Sequence, residues 1–107
     1  MMLVDRLSGG EKMSKFVLVH IGFEQPTKEI MTAWIKWFED IKDVTVENIG
    51  LKPGKEVSSE GTTDIEFDTQ VITGFTIIEV EDLDEAVKIA QNCPFITSIK
   101  VQEVREM

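Results

Sequence analysis

The sequence predicts an α+β domain in which strand, helix, strand, hairpin, strand, helix and strand follow one another. Three observations carry this. Short β-branched, apolar runs recur at residues 15–21, 44–49, 74–80 and 96–104. Two segments, 27–41 and 82–91, repeat apolar side chains at helical spacing. Between the second and third runs, residues 51–73 are poor in apolar side chains and carry the turn clusters Lys52-Pro53-Gly54 and Ser58-Ser59-Glu60-Gly61.

Each element has a local reason. The run Lys-Phe-Val-Leu-Val-His-Ile at 15–21 stops at Gly22, as a buried strand would. The first helix starts after Gln25-Pro26, with Thr27 placed to cap it and Pro26 tolerated at the start. Ile30, Met31, Trp34, Ile35, Trp37, Phe38 and Ile41 share one wide face, opposite Glu29, Thr32, Lys36, Glu39 and Asp40. The second strand spans 44–49. A hairpin is expected with 55–57 against 63–67, its alternating acids Asp64, Glu66 and Asp68 forming a solvated edge. The third strand is 74–80. Asp82 caps the second helix, with Glu85 three residues on, and Cys93-Pro94 ends it. Residues 96–104 form the last strand. This order is a split pair of βαβ units, the ferredoxin-like arrangement.

The 107 residues fit a single domain, expected from residue 13 to 107. Residues 1–12 lack periodicity and read either as a flexible tail or as non-native sequence. In the second case Ser8-Gly9-Gly10-Glu11-Lys12 is a translated bacterial ribosome-binding site, and Met13 is the natural start. Lys and Arg number 11 against 20 Asp and Glu, a net charge of −9. That balance disfavours nucleic acid and anionic membranes, since both demand a basic surface. No apolar stretch reaches membrane-spanning length and no signal peptide is present, so a reducing cytoplasm is expected. One cysteine makes no internal disulfide. One His with one Cys falls short of a zinc site, and no phosphate-binding glycine motif or Ser-His-Asp signature occurs. No cofactor or metal is expected.

Gly74-Phe75-Thr76-Ile77-Ile78-Glu79-Val80, followed by Leu83-Asp84-Glu85-Ala86 and Cys93-Pro94, resembles the YCII-related (YciI-like) family. The Pro-Thr helix start with Met31, Ala33, Trp34 and Trp37-Phe38 is similar too, so the resemblance spans about residues 14–104. It implies a dimeric α+β barrel built from ferredoxin-like halves; most members lack a demonstrated activity, although a His–Asp pair is suggested for some. Many relatives carry Asp-Gly-Pro-Phe where this chain has Asp64-Ile65-Glu66-Phe67. In the YciI branch the proposed catalytic His lies on the first helix. Here the sole His is on the first strand, so that assignment is not carried over.

Strand parity and a third strand parallel to the first place chemistry at one end of the sheet. The more uniformly apolar set, Val17/Val19/Ile21, Thr76/Ile78/Val80 and Ile99/Val101, is expected under the helices. Phe16/Leu18/His20, Phe75/Ile77/Glu79 and Ser98/Lys100/Gln102 then share the open face. That apolar face calls for a second copy, a homodimer. His20 and Glu79 are the catalytic candidates, with Glu79 orienting a His20 acid/base. Lys100, Ser98, Phe16, Phe75 and Trp34 are the ligand-binding candidates. The expected role is binding, with conversion left open, of a small organic molecule. Two alternatives stand beside it: a non-catalytic dimeric module with a structural His20, and a cofactor-independent monooxygenase-like enzyme. Cys93 is a poor nucleophile at the negative end of a helix, and Trp34 and Trp37 serve packing before they serve a ligand.

Overall fold

Hydrophobic periodicity becomes structure with small shifts of boundary. A computed structural model of the chain describes residues 13–105; the expected tail at 1–12 lies outside the described residues. The elements are β1 (Ser14–Ile21), α1 (Lys28–Asp40), β2 (Thr45–Gly50), β3 (Lys55–Ser58), β4 (Gly61–Asp64), β5 (Ile72–Val80), α2 (Leu83–Gln91) and β6 (Ser98–Glu103). The fold is α+β: β2, β5, β1 and β6 form one sheet in that order, and β3 and β4 form a separate two-stranded hairpin. The capping residues act as their spacing predicts. The Thr27 hydroxyl accepts the Ile30 amide at 3.1 Å, and the Asp82 carboxylate accepts the Glu85 amide at 2.9 Å.

One expectation fails here, and it moves the site. β5 runs antiparallel to β1, with Lys15 opposite Glu79, Leu18 opposite Thr76 and His20 opposite Gly74. The reason is topological. A crossover through α1 returns β2 parallel to β1, and β5 is antiparallel to β2. Inserted between them, β5 must oppose β1 as well.

The parity of β1 also differs from the expected one. Phe16, Leu18 and His20 face the helices, with Ile78 and Thr76 of β5 and Ile99 and Val101 of β6 opposite them. Val17, Val19 and Ile21 take the open face. Both parities of β1 are apolar, so uniformity could not choose between them; volume does. The helices offer small side chains, Ala86 and Ala90, and the gap is filled by Phe16 and Leu18 together with Trp37, Ile41, Ile78 and Val80. The indole N–H of Trp37 donates to the Ile89 carbonyl at 3.0 Å and ties α1 to the far end of α2. Both helices therefore lie on one side of the sheet. The other side carries Val17, Val19, Phe75, Ile77 and Ile49, and no helix covers it; Val19 is buried there, whereas Val17, Phe75 and Ile77 stay half-buried and Ile49 exposed. The β3–β4 hairpin stands out in solvent, with Val57 at its side 78% exposed.

Candidate functional site

The loops at the C-terminal end of β1 are pinned by backbone bonds. Gly22 donates to the Val71 carbonyl at 2.7 Å, Phe23 to Asp68 at 2.8 Å, and Thr97 to Ile21 at 3.1 Å. Gly22 sits at φ +111°, with a Cβ there 2.5 Å from the Thr97 hydroxyl, so no other residue fits without displacement. Between this end of the sheet and the first turns of α1 opens a cleft of about 380 Å³. Its walls are Phe23, Ile30, Met31, Trp34, Ile35, Phe95 and Ile96, with His20, Thr73 and Glu24 as its polar side chains. The size matches a small organic ligand, since such sites usually enclose about 300–1,000 Å³. A second cleft, about 270 Å³, lies between α1 and the β2–β5 edge; His20, Trp34 and Thr73 line both.

His20 is 9% exposed. Its Nε2 lies 2.8 Å from the Thr76 hydroxyl on the neighbouring strand. The ring packs edge-on against Trp34 at 5.3 Å and Trp37 at 5.8 Å, and those two indoles meet at a right angle. Burial pushes the imidazole pKa down to about 4, because the charged form loses its hydration with nothing in return. At neutral pH the ring is therefore uncharged. Nδ1 is buried with no hydrogen-bond partner, which costs about 1–3 kcal/mol. Among the described residues no three of His, Cys, Asp and Glu converge as a metal site.

The structure brings together only part of the expected constellation. His20 and Trp34 share both clefts. Glu79 does not join them: it opposes Lys15, five residues from His20 along β1, or roughly 17 Å at strand spacing, and on the other face of the sheet. A His20–Glu79 pair is excluded by that register. Lys100 and Ser98 oppose Val19 and Ile21 and also lie on the open face, and Lys100 is far from Glu79 along the strands. Phe16 is a core residue. Phe75 borders the second cleft and a groove at the base of the hairpin.

The pattern of the YCII-related domain matches residues 15–107. The chain belongs to that family. No curated protein matches it. In this YCII-related protein the histidine contributed by β1 has a threonine rather than a carboxylate as its partner. Sequence reasoning missed Thr76 in that role, along with the cleft walls Phe23, Ile30, Met31 and Phe95. A signal was present for the helix: Met31 and Ile35 remain 53% and 62% exposed. The apolar face of α1 is wider than one sheet can cover, and its surplus forms the wall of the cleft.

Proposed function

We propose that this YCII-related protein is a homodimer whose protomers each bind a small organic molecule in the cleft beside His20. The observation that carries the binding site is the cleft itself, about 380 Å³, apolar-walled and held open by the pinned loops after β1. The dimer rests on the half-buried apolar side chains Val17, Phe75 and Ile77 of the sheet face opposite the helices, which a second copy of the same face would take out of water. A binding role suits His20 better than acid/base chemistry. Its ring is neutral, burial lowers its basicity, and among the described residues no carboxylate orients it. A reducing cytoplasm suits the single free cysteine, which is buried.

Two measurements test this reading. NMR screening of small organic fragments should give hits whose shifts gather on the Trp34 indole, His20 and the amides of Ile30 and Met31; hits scattered over the surface would overturn the site. Sedimentation velocity should show a dimer, converted by Ile77→Glu to a folded monomer. A wild-type monomer at high micromolar concentration would overturn the assembly.

A further inference from the structure

The chemistry of the cleft narrows its occupant, given the reading that it is a ligand site. Its apolar walls come from Ile30, Met31, Trp34, Ile35, Phe95 and Ile96. Among the described residues no lysine or arginine lines it, and the one acidic side chain there is the exposed Glu24 at the rim. A carboxylate or phosphate entering would shed water and find no cation, against a chain of net charge −9. An ammonium group would meet apolar walls inside and only a solvated acid at the mouth. The Thr73 hydroxyl is already engaged with the His20 carbonyl at 3.4 Å. What remains is Nδ1 of His20, the one buried side-chain polar atom among the described residues that has no partner.

We infer that the cleft selects an uncharged, flat, largely apolar molecule bearing a hydroxyl group, and that this hydroxyl engages His20 Nδ1. A hydroxyl both donates and accepts, so it complements Nδ1 in either tautomer that the Thr76 bond allows. Trp34 lies edge-on to the imidazole and borders the cleft on each side; the contact requires this half-buried ring to shift so that the buried nitrogen is reached. An aromatic occupant replaces the contacts that the shift breaks.

The test uses a matched set: 2-naphthol, 2-naphthoate and 2-naphthylmethylammonium, titrated at pH 7 into the full chain carrying ¹⁵N-labelled histidine and tryptophan. The sequence has one His and two Trp, so each ring signal is assignable. The naphthol is expected to bind about tenfold or more tighter than either charged analogue, shifting the Trp34 indole and His20 Nδ1. Naphthoate or the ammonium binding as tightly, with the same residues shifting, would overturn the charge selection and leave the site standing. Naphthol moving Trp34 but not Nδ1 would overturn the hydroxyl contact. No response at Trp34 or His20 from any of the three would overturn the ligand site itself.

Discussion

Acidification should unfold this protein partly through one imidazole. His20 is held at about 4 by burial against its ordinary 6.5. The unfolded chain takes up this proton near pH 6.5 and the folded chain only near pH 4, so the unfolded state binds more protons in between. Stability from this group is intact above pH 6.5, falls as pH drops toward 4, and levels off below. Each pKa unit is worth about 1.4 kcal/mol, so the full loss is roughly 3 kcal/mol; integrated from pH 7 to 4.5 it is about 2.4 kcal/mol. Carboxylates titrate over part of the same range, and a His20→Leu variant separates them. That variant leaves the Thr76 hydroxyl without its partner, a constant offset, but it removes the pH-dependent part. Urea unfolding at pH 7 and 4.5 should show the wild type losing about 2 kcal/mol more than the variant. The single His Cε1–H signal, followed by NMR, should show no midpoint above pH 5. Parallel stability curves, or a midpoint near 6.5, would refute the argument that burial keeps the ring neutral.

Gly22→Ala forces a side chain into the left-handed region and against Thr97; it should cost more than about 1 kcal/mol in urea unfolding and shift amide signals along the rim of the cleft. Asp82→Ala removes the acceptor for the Glu85 amide at the start of α2, a loss of about 1 kcal/mol in the same assay. Trp37→Ala, at a site 3% exposed with its indole bonded to Ile89, should cost about 3–5 kcal/mol; a loss under about 1 kcal/mol would contradict its place at the joint of the two helices. The Cys93 thiol, raised by burial to about 12 and 5% exposed, should resist aromatic disulfide reagents in the native protein and react fully in denaturant.

Much of the fold is legible in the sequence because it depends on neighbours along the chain. The Thr27 and Asp82 caps, the stop at Cys93-Pro94 and the alternation in β5 and β6 depend on residues within a few positions of one another. The hairpin shows the limit of such reading. Its first strand lies near the expected place, while its second runs Gly61–Asp64 rather than toward Phe67, because the turn at Ser59-Glu60 sets the register and nothing buries the strand.

By itself the sequence determined the element order, the helix ends, the family and a net charge of −9. Tertiary structure alone decided which face of β1 meets the helices and which way β5 runs. Those two choices separate His20 from Glu79 and Lys100 and give it Thr76, Trp34 and Trp37 instead. The physical reason is that β1 is apolar on both faces, so its side-chain pattern is nearly degenerate. The choice falls to the volume left between sheet and helices, a property of residues some 60 positions apart such as Leu18 and Thr76, and no local period records it.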